Sequence, residues 1–385
     1  MTWIDPFPFG IIGIGIVHAF ISFGLVSVFL ARELERELGG LTQWALIEGA
    51  SRPQVFRALL RPISQKLRKA FFLVFAMTFS SFTVPLVVGG GRGTTLEVYI
   101  YEKIRIEGNF SAAIFLSVFQ SLMVLLISWF FFGREISAST VRSNLERRFW
   151  ILNSKWIFWT MAIISAVLSV GIASETYSGW LQAQALSGLF EQIGELIFPS
   201  LIIVFLVLLL QSLLFILQIS LDSSSLLQKS LAGLTHFSPA IIGFSTLLFW
   251  GSSSIGLAVS LCLLFYPALW RLFAHEQFRS LHGQMEMAAL MGATRWQSLK
   301  VVVLPQMMGS FAMMSGVMSL WTIGDFAISK LVMGQESTLG ILAGNLMSSY
   351  RIQASFFITM LIMVGGVLSF AIFQAGAYVL RSKSS

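Results

Sequence analysis

The chain has 385 residues, of which 56% are hydrophobic, 14% aromatic and only 11% charged. Soluble domains run near a quarter charged, so this composition excludes an ordinary soluble fold and places the chain in a bilayer. The net charge of +7 does not point to nucleic acid, because the basic residues alternate with long uncharged runs instead of clustering on one wet face.

A spanning helix needs about 20 mostly apolar residues. In chain order, the stretches 9–31, 70–91, 110–133, 156–174 and 196–221 each supply one. The run 230–270 has no Asp, Glu, Lys or Arg, is too long for a single helix, and reads as two helices broken at Gly251-Ser252-Ser253-Ser254. Stretches 306–324 and 352–380 complete nine spans. The expected fold is therefore an all-α polytopic membrane protein. Cys262 lies in an apolar stretch and there are four His, so neither a disulfide framework nor a metal or redox cofactor is expected.

Cytoplasmic loops retain Lys and Arg. With the N-terminus outside, the inner segments 32–69, 134–155, 222–229, 271–305 and the tail beyond 380 hold 20 of the 25 basic residues. Arg92, Lys103, Arg105, Lys330 and Arg351 stay outside among carboxylates. The C-terminus is then cytoplasmic, and the basic balance reports topology. Residues 1–10 carry no Lys or Arg and do not read as the start of a cleavable signal.

Two inner segments match without a gap at an offset of 243 residues. Gln43-Trp44-Ala45-Leu46-Ile47-Glu48-Gly49-Ala50-Ser51-Arg52-Pro53-Gln54 aligns with Glu286-Met287-Ala288-Ala289-Leu290-Met291-Gly292-Ala293-Thr294-Arg295-Trp296-Gln297. Six predicted spans lie between them, so both face one side and the repeats are parallel, unlike the inverted repeats of many secondary transporters. Ser51 to Gln54 and Thr294 to Gln297 each fit a capping box, which starts a helix. Gly49 and Gly292 suit the left-handed residue that ends the helix before it. Beyond the cap, Pro53, Phe56, Leu59 and Leu60 correspond to Trp296, Leu299, Val302 and Val303 as an apolar stripe, with Arg57 and Lys300 off it. A pair of similar projections suits a two-fold symmetric partner; the bland alternative is two helices lying in the lipid interface.

The pattern Glu286-x-Ala288-Ala289-x-x-Gly292-Ala293, followed by Leu304-Pro305, resembles the cytoplasmic loop of the permease subunits of binding-protein-dependent ABC importers. That resemblance implies a bacterial inner-membrane subunit without its own ATPase. Its partners would be a dimer of ABC ATPase subunits, a periplasmic or lipoprotein substrate-binding protein, and membrane lipid. It implies ATPase docking by Glu286, Ala288, Gly292, Ala293 and Thr294, and through the repeat by Ala45, Gly49, Ala50 and Ser51. The first copy departs from the pattern, with Gln43 in place of Glu286 and Arg61 in place of Leu304. Two repeats in one chain further resemble the branch serving thiamine and ferric iron, and Val17-His18-Ala19-Phe20, Ser81-Phe82-Thr83-Val84 and Gly89-Gly90-Gly91-Arg92-Gly93-Thr94-Thr95 look most like thiamine permeases. The glycine cluster lacks the Gly-Lys-Ser/Thr ending of a phosphate loop and reads as an outer turn.

Asp325, at the edge of a span, either lines the route of a cationic solute or is solvated at the outer surface. Ser81 and Thr83, at the matching place in the first repeat, either offer hydroxyls to a pathway or serve helix packing. His18 reads as a packing residue. His275 and His282 have no carboxylate set beside them, which disfavours a metal or hydrolase site. Residues 1–150 form the first repeat, with three spans and the loop 32–69; residues 151–385 form the second, with six spans and the loop 271–305. On that arithmetic the first repeat lacks about 90 residues with three spans ahead of Met1: either the chain is part of a longer protein, which is the favoured reading, or a separate polypeptide supplies those helices, or the permease works with a reduced half. The rival function is an ion-coupled secondary transporter or channel.

Overall fold

The computed structural model describes residues 10–23, 26–27, 48–51, 81–89, 94–132, 155–220, 238–334 and 338–382, with positions 54, 57, 64, 67–68, 71, 74–75 and 78–79. Ala45 and part of the predicted span 70–91, including Ala70, Ser80 and Gly90, lie outside these residues. Among the described residues all regular structure is helical. Five helices are long and apolar enough to cross a membrane: Phe110–Ile127, Leu189–Ser220, Ser254–Ala274, Arg295–Ile323 and Ile352–Val379. The all-α polytopic membrane fold is thus the one observed.

Leu189–Ser220 shows why these helices belong in lipid. Ile203, Val207 and Ile219 are buried along one side, yet Leu201, Phe205, Leu209, Leu213 and Ile216 are exposed along the other. A helix apolar on its covered and uncovered sides alike is stable in hydrocarbon and not in water. At 1.5 Å per residue its 32 residues reach about 48 Å, longer than a bilayer core of roughly 30 Å.

The chain divides into two compact units, Met1–Ser169 and Val170–Ser385. In the first, the helix Ile11–Phe23 begins at Gly10, whose N–H donates to the Val88 carbonyl at 3.1 Å, at the end of the helix Thr83–Val88. Leu96–Arg105 follows, burying Val98, Ile100 and Ile104, and then Phe110–Phe132, whose first turn is held by Asn109 accepting from the Ala112 N–H at 3.1 Å.

In the second unit the uncharged run 230–270 is broken where the sequence places the break. Pro239–Trp250 ends at Gly251 with φ +62°, and Ser254–Leu269 starts with the Ser253 hydroxyl accepting from the Gly256 N–H at 3.1 Å. Helices here approach closely through small residues, the usual route to association in lipid. Gly316 faces the Phe370 ring and Gly366 faces Leu320, so Arg295–Ile323 and Ile352–Ser382 come together, and the Ser369 hydroxyl reaches that of Ser319 at 2.9 Å.

Two short helices between the last two spans go beyond the sequence reading, Ala327–Met333 and Leu339–Ser348. Gly340 and Gly344 lie one turn apart on the second, against the Asp325 backbone and the Phe326 ring, leaving no room for a Cβ at either. Leu339–Ser348 falls 243 residues after Leu96–Arg105 at both ends, and Thr338 precedes it as Thr95 precedes its counterpart. The offset that relates the two loops therefore relates helices well beyond them.

Candidate functional site

The 271–305 loop is built from its two flanking spans inward. Ser254–Leu269 leaves the packed region through a π-helical segment, Trp270–Ala274, closed by the His275 N–H on the Trp270 carbonyl. His275–Ser280 and His282–Leu290 follow, anchored by Phe278 and Leu281, both buried. The chain re-enters through the helix Arg295–Ser298 and a second π-helical segment, Leu299–Val303, with Leu299 and Val303 buried. Polar bonds tie the loop to the next span. The Ser310 hydroxyl donates to the Phe273 carbonyl at 2.6 Å, and the Gln306 amide donates to the Gln284 side-chain carbonyl at 2.7 Å.

At the bend the Gly292 N–H donates to the Ala289 carbonyl at 2.9 Å and the Ala293 N–H to the Ala288 carbonyl at 3.0 Å, with Gly292 at φ +86°. This pair of bonds is the Schellman ending, and it needs a left-handed residue where Gly292 stands. The capping box then forms as its residues imply, the Thr294 N–H reaching the Gln297 side chain at 2.8 Å and the Gln297 N–H reaching the Thr294 hydroxyl at 3.4 Å. In the first loop Gly49 has φ +75° and the Ser51 N–H donates to the Gln54 side chain at 2.8 Å. Gly49 and Gly292 are both exposed, Ala50 and Ala293 both half-buried, Ser51 and Thr294 both exposed.

Between these fixed ends His282–Leu290 buries no residue. Glu286 is exposed and Ala288 half-buried. Met287, Leu290 and Met291 are 60%, 88% and 82% exposed, an uncovered apolar patch on a braced element. The expected apolar stripe holds for Leu299, Val302 and Val303 but not for Trp296, which is 70% exposed. Trp296 sits on the first turn, ahead of the neighbours that cover Leu299 and Val303, and lines the mouth of a groove instead.

Asp325 lies two residues past the span Arg295–Ile323, half-buried, accepting from the Ser329 N–H at 2.8 Å. Burial raises its carboxyl to about 6, against the lowering pull of bonds from Ser329 and Ile328. Ser81 is half-buried, its carbonyl accepting from the Thr95 hydroxyl at 3.5 Å, and Thr83 is exposed. His18 is buried, with no hydrogen-bond partner at Nε2 among the described residues. The sequence reading missed Gln211 and Gln218, polar residues buried inside Leu189–Ser220. The first donates to the Ser315 hydroxyl at 3.0 Å, and the second accepts from the Tyr266 hydroxyl at 2.7 Å. Uncharged polar residues inside a long apolar run were the available signal.

No protein-family model matches the chain. It is 26% identical over 214 residues to the thiamine transport system permease protein ThiP of Haemophilus influenzae, a match covering 50% of this chain and 38% of that protein. The ThiP proteins of Brucella suis, at 33% identity over 125 residues, and of Escherichia coli, at 29% over 120 residues, match 32% and 31% of this chain. The chain resembles transport-system permeases. Its matches span less than two fifths of these relatives, 38%, 23% and 22% of their lengths. Similarity to permeases agrees with a multi-pass helical chain whose most distinctive loop is a braced projection.

Proposed function

We propose that the chain is the membrane-spanning subunit of an ATP-driven, binding-protein-dependent ABC importer of the bacterial inner membrane, with its N-terminus outside and its C-terminus in the cytoplasm. The observation that carries this reading is the loop His282–Gln297, locked at its bend and its cap, on which Met287, Leu290 and Met291 are largely exposed. Burying such side chains in a partner is worth about 1.5–3 kcal/mol each. The left-handed glycine and the N–H to Gln bond of the cap recur at Gly49 and Ser51, and two projections suit one contact with each subunit of an ATPase dimer. In this reading Glu286, Ala288, Gly292, Ala293 and Thr294 dock one ATPase subunit, and Ala45, Gly49, Ala50 and Ser51 the other. ATP is hydrolysed by those subunits, and the permease performs no covalent chemistry.

The relatives are named as thiamine transport permeases, and thiamine is the solute proposed for this chain, delivered by a separate binding protein. Asp325, as a carboxylate, and the Ser81 and Thr83 hydroxyls are the groups proposed to meet such a cation. The test is uptake into vesicles carrying the native transporter complex. Thiamine uptake that requires ATP and survives a collapsed ion gradient is the expected result; uptake that persists without ATP and vanishes with the gradient overturns the proposal in favour of a secondary transporter.

A further inference from the structure

A groove of about 370 Å³ opens between the end of the helix Leu189–Ser220 and the start of Arg295–Ile323. Ile216 and Ile219 line one side, and Trp296, Leu299, Lys300 and Leu304 the other. Ser220 and Gln297 also border it, but the surface turned to the groove is nearly all apolar. The groove is also continuous with a lipid-facing surface. Ile216 belongs both to the groove and to the exposed row Leu201, Phe205, Leu209 and Leu213, and Val301 stands exposed beside Lys300. What meets that row in a bilayer is acyl chain, so acyl chain is what has access to the groove.

Lys300 and Trp296 bring a different chemistry to the same groove. Lys300 is exposed, and Trp296, four residues before it and so on the same helical face, is 70% exposed. A cation with an amphipathic ring at the end of a spanning helix is suited to the headgroup level of a bilayer, where an anionic headgroup supplies the complementary charge. We propose that this groove binds an anionic phospholipid, with one acyl chain among Ile216, Ile219, Leu299 and Leu304 and the phosphate on Lys300. The site includes part of the π-helical segment Leu299–Val303, so the lipid would brace the loop at the point where it rejoins the span. This inference needs only the membrane fold and stands or falls independently of the ATPase reading.

The test is native mass spectrometry of the intact chain purified from nanodiscs of equal phosphatidylglycerol and phosphatidylethanolamine. Wild type is expected to retain phosphatidylglycerol in preference. Lys300→Gln should weaken that retention about fivefold, the factor for losing one basic residue at an anionic surface, and Lys300→Arg should restore it. Ile216→Trp, which fills the groove from its exposed side, should reduce retention of both lipids. Equal retention of the two lipids by wild type, or unchanged retention in both Lys300→Gln and Ile216→Trp, overturns the proposal. So does a wild type that retains no lipid.

Discussion

Three residues show how much local chemistry a single position carries. Gly292 supplies a left-handed bend at no steric cost, with nothing within 4 Å of where a Cβ would lie, so the cost of a side chain there is conformational. Tyr350 occupies the same place in a second Schellman ending. Its N–H donates to the Met347 carbonyl at 3.1 Å and the Arg351 N–H to the Leu346 carbonyl at 2.9 Å, with φ +58° and the ring 89% exposed. A left-handed residue with a Cβ costs about 1–2 kcal/mol, so Tyr350→Gly should raise the thermal midpoint of the purified protein; a lowered midpoint would mean that the ring makes a contact worth more than the strain. Asp325 differs in kind, because its folded-state pKa of about 6 lies above the ordinary 3.8. The folded protein holds the extra proton between those values, so this group's contribution to stability falls as pH rises from about 4 to about 6. Asp325→Asn should flatten that part of the stability profile, and an unchanged slope in thermal unfolding across the window would refute it.

At the scale of elements, helices are joined by a few buried polar pairs and by glycine contacts. Gln211 is fully buried and its amide donates to Ser315, on the neighbouring span. Ser315→Ala removes the acceptor and should cost about 0.6 kcal/mol, the mean for such pairs in membranes, and at most about 1.7. Adding Gln211→Leu should recover most of that loss, because the orphaned amide is then gone. Denaturant titration in detergent checks both, and a double variant worse than the sum of the singles would show the pair to be packing, not hydrogen bonding. The elements were unequally legible in the sequence. The break at Gly251 and the capping box at Thr294 could be read because Gly, Ser and Thr act on their immediate backbone. The π-helical segments at Trp270 and Leu299 could not, since one extra residue per turn leaves no mark in composition. Ala327–Met333 and Leu339–Ser348 were missed because they are too short for a span, and their support at Gly340 and Gly344 comes from a turn distant in sequence.

For the whole molecule, the repeat offset decides what the two loops can share. Gly49 and Gly292 share the left-handed φ, and the Ser51 and Thr294 N–H groups make the same bond to a Gln side chain, so backbone strain from a substitution at either glycine should be alike. The side chains presented differ, because Glu48 stands where Met291 stands and Gln43 where Glu286 does. Met291 is 82% exposed, and an apolar side chain there favours burial in a partner groove, whereas a carboxylate at the same register resists it. If the loops dock an ATPase as proposed, the second should therefore supply more of the docking energy. Gly292→Trp should leave the protein inserted in the membrane while abolishing solute-stimulated ATP hydrolysis in vesicles carrying the full transporter, and Gly49→Trp should reduce it less. Met291→Glu, which gives the second loop the first loop's side chain with the bend left intact, should fall between them. Equal losses from both glycine variants would show that the loops dock equivalently and that the difference at Glu48 is without consequence; normal coupling in Gly292→Trp would remove the bend from the docking surface altogether.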